Sequence, residues 1–319
     1  MKETGELIRN LRDSEYIREK RFGDISSFNF TRTAFYSGHW DEVTVKARGL
    51  FIDTRKKKIV ARGYDKFFNI DENPQSTMDA LKRQAVFPIE VYRKENGYLG
   101  LISWDHEKND FLFATKSMLE SGFVDNLKDI FFNSGINTGY VSCYLSTAQI
   151  NGASPTMIVE VIDPQLDPHI IEYSQRHLVL LDIVSNQVEP SYLLYPLLQQ
   201  RASDFNMECK AHVKTIMDWK EVEKMKWLCQ HPSYFDTNGK PFEGYVFRDG
   251  AGHMFKLKTA YYLQWKKYRR QAERIVNNLP LQVESDPFLS WVEQNKTKLV
   301  GKSIIEIREM YEHEPPDQT

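Results

Sequence analysis

The stretch from Phe87 to Trp104 reads FPIEVYRKENGYLGLISW. Two runs rich in β-branched and aromatic residues flank Glu95-Asn96-Gly97. Asn-Gly tolerates the positive φ angles of a tight turn, so the stretch predicts strands over 87–94 and 98–104 joined as a hairpin. Lys94 then stands where a strand enters a turn. Asp110 to Thr115 predicts a third strand of the same set.

Working outward, KARGLFID at 46–53 and KIVARGY at 58–64 predict a hairpin around the basic turn Arg55-Lys56-Lys57. A polar, Pro-containing link follows from Asp71 to Met78. Downstream, Met118, Leu119, Phe123, Leu127, Ile130 and Phe131 recur at helical spacing and predict a helix over 117–132. Apolar strands are expected at 156–163 and 177–184, and helices at 191–200 and 213–229. Strands at 242–248 and 253–258 meet across Asp249-Gly250. From Ala260 the pattern is helical, over 260–278, 287–298 and 304–312, and the tail 314–319 is expected to fray. The class is α+β: two antiparallel sheets flanked by helices. We expect a catalytic domain over 1–262 and a small helical C-terminal module over 263–319, with no OB barrel, which needs five strands with frequent turns.

The 319 residues suffice for one large domain with an appendage. Hydrophobic residues at 41% and charged residues at 27% exclude wholesale disorder. No run approaches the roughly 20 apolar residues of a membrane span, so a soluble, cytoplasmic protein without a membrane partner is expected. Cys143, Cys209 and Cys229 are odd in number, widely spaced and without a CxxC pair. That excludes a disulfide framework or zinc knuckle and predicts reduced, buried thiols. The net charge of −2 excludes binding of nucleic acid by bulk charge, so any RNA contact must be a local basic patch. Lys266-Lys267-Tyr268-Arg269-Arg270 is the candidate.

Lys94 offers an amine that could attack the α-phosphorus of a nucleotide. That chemistry needs the neutral amine, so burial and neighbouring cations must pull its pKa down from about 10.4. It also needs cations and a divalent metal to neutralise the phosphates. On its own the tetrad Lys-Glu-Asn-Gly reads as a surface turn with a solvated lysine. Glu160, between Val159 and Val161, is a charge within an apolar strand, which is costly unless paired or metal-bound. Glu243 opens a strand in EGYV, and Lys256 and Lys258 share one strand face opposite Phe255 and Leu257. Two lysines on one face make an anion clamp. Each of these charges could instead be a salt-bridged or solvated one; their occurrence together in this order favours a site.

This order resembles that of the covalent nucleotidyltransferases, the ATP-dependent ligases and capping enzymes. The chain is most similar to the phage-type RNA ligase 1 family, which seals broken tRNA, over about Tyr36 to Tyr262. Tyr36-Ser37, KARGLF at 46–51 and DKFFNIDENP at 65–74 carry the most specific likeness. The resemblance implies an RNA ligase that uses ATP and Mg2+ or Mn2+, with AMP covalently on Lys94. It implies that Glu95, Asn96 and Gly97 complete the nucleotide site around Lys94. Arg48 and Lys66 would contact the triphosphate and Lys116 would lie near the nucleotide. Glu160 would bind the ribose or organise metal water, and Glu243 would hold the catalytic metal through water. Lys256 and Lys258 would grip the α-phosphate, Tyr262 would stack on adenine, and Tyr36 would lie near the β- and γ-phosphates.

Two features depart from the phage pattern. Asn96 stands where the phage tetrad has Asp, as in fungal tRNA ligases, and brings no charge to a metal. About 57 residues follow Tyr262, fewer than in the phage enzymes, so substrate recognition is expected to be reduced, replaced or supplied by another protein. The partner implied is RNA, a broken tRNA, with a polynucleotide kinase/phosphatase or other repair subunit as a further partner. The competing readings are a DNA ligase or capping enzyme, disfavoured by the helical C-terminal pattern, and a ligase-like scaffold or partner-dependent ligase subunit of a repair complex.

Overall fold

A computed structural model describes residues 2–280 and 286–313. The tail expected to fray lies outside the described residues. The chain divides into two compact units, one of residues 1–84, 97–162 and 176–212, the other of 85–96, 163–175 and 213–319.

The first unit holds two sheets. In one, Ile17–Phe22, Ile25–Phe30, Leu50–Asp53 and Lys58–Arg62 follow in order, all antiparallel. The expected hairpin of 46–64 is there, its strands shorter than the apolar runs. In the other the order is Glu208–Cys209, His177–Ser185, Pro155–Ile162, Tyr98–Asp105 and Asp110–Thr115. Its pairings are antiparallel except that of Glu208–Cys209, which runs parallel to its neighbour. Ser103 Oγ donates to the carbonyl of Val60 at 2.8 Å, tying the sheets together. The helix Gly122–Asn133, capped by Ser121, lays Val124, Leu127, Ile130 and Phe131 on the five-stranded sheet. These positions recur every three to four residues, so one stripe faces Val159, Val161 and Leu180. The helix Thr138–Thr147 covers the same core.

The second unit is built on strands in the order His212–Ile216, Ile89–Lys94, Gly244–Arg248 and Met254–Lys258. The helix Trp219–Cys229 is capped by Asp218, and its Trp219 meets Phe255. The helices Ala260–Val276, Pro287–Asn295 and Ile304–His313 then gather an apolar core of their own around Trp265, Phe288 and Trp291. Ile170 and Ile171 belong to that core too. Phe288, Trp291 and Val292, on one face of their helix, are buried in it and do not form a free partner surface.

Three expectations fail. Strands 89–94 and 98–105 do not form a hairpin: the first pairs with Gly244–Arg248, the second with Pro155–Ile162 and Asp110–Thr115. Asn96 is not among the residues with positive φ, so Asn96-Gly97 does not make the tight turn its composition suggested. The segment 213–229 is a strand, then a helix beginning at Trp219, because Asp218 caps the helix start. Finally, Cys229 is buried, whereas Cys209 is half-buried and Cys143 exposed on its helix. All three are free thiols, and burial pushes Cys209 up to about 11 and Cys229 to about 12. Among the described residues no helix is long and apolar enough to cross a membrane.

Candidate active site

In the second unit, three strands bring Lys94, Glu243 and Lys258 together. Gly244 lies opposite Lys94 on one side and Lys258 on the other. Both lysines therefore flank the residue just before it. Lys94 Nζ lies 3.2 Å from Glu243 Oε2 and Lys258 Nζ 2.8 Å from Oε1. Only glycine serves at 244: its φ is +150°, and a Cβ there would overlap the carbonyl oxygen of Leu257.

Asn96 completes the group. Its Nδ2 donates to Glu243 Oε2 at 2.9 Å, and its Oδ1 accepts from the Ile171 N–H at 3.2 Å. Burial opposes charge on Glu243, but Lys94 and Lys258 outweigh it and hold the carboxyl below the ordinary range. Burial likewise lowers Lys258; Glu243 offsets part of this, while Lys94 and Lys266 add to it. Lys258 lies 4.4 Å above the ring of Tyr262, whose hydroxyl is 3.5 Å from Asn96 Nδ2. Tyr262 is buried beneath this cluster at the start of the helix Ala260–Val276, which Thr259 caps. Lys256 lies on the same strand face as Lys258, opposite Val246 and half-buried. Glu95 is buried, and its carbonyl accepts from Lys94 Nζ at 3.1 Å.

The first unit gathers the other candidates. Glu160 lies within a strand whose eight residues are all buried, and it accepts from the Gly97 N–H at 2.9 Å. The close approach explains the glycine: a Cβ at 97 would overlap the Val161 carbonyl oxygen. Burial lowers Arg48, while Glu160 and Tyr64 favour its charge. Its Nη1 is buried without a hydrogen-bond partner. Gly49, in the left-handed region at φ +63°, turns the chain so that its N–H donates to the Lys116 carbonyl at 3.1 Å. Burial first, and then Arg48 and Lys66, hold Lys116 below the usual lysine range. Its ammonium lies over Phe30 at 4.6 Å. Lys66 lies over Phe68 at 3.7 Å and is 3.3 Å from Glu72. Tyr36, on the short helix Arg32–Ser37, is 82% exposed. Its ring meets Phe35 edge-on at 5.5 Å rather than the cationic group.

The residues fit a nucleotide and a hydrated metal. A buried guanidinium nitrogen without a partner, beside two lysines, suits phosphate oxygens. Among the described residues no three His, Cys, Asp or Glu side chains gather as a metal cage. A magnesium-like ion that keeps its waters needs only one or two carboxylates plus phosphate oxygens, and in the second unit Glu243 can supply one.

Sequence reasoning did not single out Tyr173. Its hydroxyl accepts from the Asn96 N–H and donates to Glu95 Oε2, both at 2.9 Å. It lies in the segment 163–175, which has no strand or helix of its own to make it legible.

The fold is that of the ligase-type nucleotidyltransferases. A candidate ATP-dependent DNA ligase from Aquifex aeolicus superposes with a TM-score of 0.55 over 96% of this chain and 75% of its own, at 16% identity. The chain belongs to the RNA ligase family of the phage-type RNA ligase 1 kind, whose model matches residues 46–262. It is similar to tRNA ligase 1 of Schizosaccharomyces pombe, 46% identical over 240 residues that make 68% of this chain and 28% of that protein. It is also similar to the tRNA ligase of Candida albicans, 23% identical over 310 residues, 86% of this chain and 36% of that protein. The chain thus spans about a third of the length of these relatives.

Proposed function

We propose that this chain is an ATP-dependent RNA ligase that joins RNA 5′-phosphate and 3′-hydroxyl ends through a lysyl-adenylate on Lys94, in repair of broken tRNA in the cytoplasm. The observation that carries the reading is Glu243 held by Lys94 and Lys258 across Gly244. That group supports reading Lys94 as the nucleophile, Glu243 as the carboxylate that holds the metal and Lys258 as part of the anion clamp.

Three displacements at phosphorus follow. Lys94 Nζ gives up its pairing with Glu243, loses a proton and attacks the α-phosphorus of ATP. The bond to the bridging oxygen breaks and pyrophosphate leaves. An oxygen of the RNA 5′-phosphate then attacks the same phosphorus and breaks the P–N bond. Last, the RNA 3′-hydroxyl oxygen attacks the 5′-phosphorus, loses its proton and expels AMP. Lys256 and Lys258 grip the α-phosphate, Arg48 and Lys66 the triphosphate, and Lys116 lies near the nucleotide. Glu160 takes the ribose or a metal-bound water. By the family likeness Tyr262 stacks on the adenine and Tyr36 lies near the outer phosphates, which requires Lys258 to leave the face of the Tyr262 ring and Tyr36 to turn from Phe35. By the same likeness Glu243 and Glu160 would hold, through water, Mg2+ or Mn2+, which would neutralise charge on the phosphates.

In this reading residues 1–262 carry the adenylyltransferase chemistry, and the helices of 263–319 complete the core around Trp265 and Phe288. The RNA is guided by a groove of about 510 Å³ along the helix Ala260–Val276, lined by His169, Lys266, Lys267, Arg269 and Arg270. The relatives are named as tRNA ligases and are about three times longer, which supports a second reading: this is the ligase portion of a repair assembly that works with end-healing enzymes.

Incubation with α-labelled ATP and Mg2+ or Mn2+ tests the proposal. Label is expected on the wild type and absent from Lys94→Ala, with the fold retained. Label that persists in Lys94→Ala sinks the mechanism. A wild type that takes no label, alone or with repair partners, is a scaffold.

A further inference from the structure

Tyr173 reaches the two residues that follow Lys94. One hydroxyl serves both: it accepts the Asn96 backbone N–H and donates to Glu95 Oε2, each at 2.9 Å. Two residues earlier, the Ile171 N–H donates to Asn96 Oδ1 at 3.2 Å. Backbone and side chain of Asn96 are therefore both held by the segment 171–173. This decides which way the Asn96 amide points. With Oδ1 taken by a backbone donor, Nδ2 is left to face Glu243, where it donates at 2.9 Å.

The segment is itself anchored on its other side. Ile170 and Ile171 lie in the core of the C-terminal helices, with Tyr173 packed against its edge. Arg308, from the last helix, donates to the Ile170 carbonyl at 3.1 Å and to the Tyr261 hydroxyl at 2.7 Å. It also pairs with Glu172. A strap thus runs from the C-terminal helices through 170–173 to Glu95 and Asn96, which follow the strand that ends at Lys94.

We infer that Tyr173 is a positioning residue for the adenylylation of Lys94, acting through Glu95 and Asn96. The inference rests on the function proposed above. Its hydroxyl fixes the backbone at 95–96, which aims Asn96 Nδ2 at Glu243, and Glu243 is thereby held at the distance at which both lysines reach it. Small displacements of reacting groups have large kinetic effects, so this orientation bears on rate rather than on nucleotide affinity.

Tyr173→Phe keeps the ring and removes both hydrogen bonds. The rate constant for labelling by α-labelled ATP is expected to fall about 10- to 100-fold. The ATP concentration for half-maximal rate should stay within roughly twofold, and the melting temperature within a few degrees. Because part of its effect passes through the Asn96 amide, the double variant Tyr173→Phe/Asn96→Ala should be slowed by less than the product of the two single effects. A wild-type rate in Tyr173→Phe overturns the inference, as do effects that multiply in the double variant. A slow variant that has also lost its fold assigns the residue to the core and overturns it too. These outcomes leave ligase function standing, whereas absence of label in the wild type removes both.

Discussion

Glu243 carries the heaviest demands on any single side chain here. It is 3% exposed and balances two lysines and an amide. Replacing it by Ala leaves two half-buried ammonium groups without their carboxylate, and about 1–3 kcal/mol of stability should be lost in urea unfolding. The loss should depend on pH in a definite direction. The folded carboxyl is held below its ordinary value of about 4.5. Its stabilisation is therefore full above that value and disappears as pH falls through the lower, folded one. The stability gap between wild type and Glu243→Gln should accordingly shrink on acidification below about pH 4.5 and be constant at neutral pH. Asn96 makes a second test. Asn96→Asp would exchange a donor 2.9 Å from Glu243 for a second carboxylate. Its melting temperature without metal should drop below that of wild type. Mn2+ should raise it more than it raises the wild type, because two carboxylates bind a hard cation better than one. Equal shifts in the two proteins would contradict this.

At the scale of elements, the strand Gly244–Arg248 does the assembling, since it lies between the strands that carry Lys94 and Lys258. The helix Ala260–Val276 continues directly from the second of these. It buries Tyr262, Trp265, Ala272 and Ile275. Lys266, Lys267, Arg269 and Arg270 line the groove beside it. Arg269 is paired with Glu273 at 3.2 Å, and Lys266 adds to the field on Lys258. Removing Lys267 and Arg270 together should weaken RNA binding and flatten its salt dependence, by about one unit of slope for each RNA phosphate that is no longer neutralised. Adenylylation of Lys94 should continue at close to the wild-type rate. Filter binding across a salt series and labelling with ATP measure the two effects separately, and a fall in labelling with unchanged RNA binding would reject the groove as an RNA path.

For the molecule as a whole, the C-terminal helices are part of the second unit's core. Ile170, Ile171, Tyr262 and Trp265 pack with Phe288, Leu289, Trp291, Ile304 and Ile307. A chain ended at Thr259 should expose Ile170 and Ile171 and lose most of its soluble yield, since several large apolar side chains would lack cover. A soluble, ATP-labelled product of that truncation would show the helices to be dispensable to the site.

The linear sequence determined the types of most elements and the identity of the candidate residues, because period-two and helical spacings report which faces are buried. Lys256 and Lys258 alternating with Phe255 and Leu257, and Glu160 among valines, are local patterns that tertiary context left unchanged. The family likeness was legible too, since it rests on the order of short motifs. Only the tertiary structure decided where Lys94 and Tyr98 go after Asn96-Gly97. A strand's partner is chosen by distant residues, and the turn chemistry of two residues is outweighed by Glu243, Ile171 and Tyr173 holding Asn96. The pairing of one carboxylate with two lysines across Gly244 is likewise invisible in sequence. It depends on strand register, which is set by side-chain packing and backbone hydrogen bonds between segments far apart along the chain.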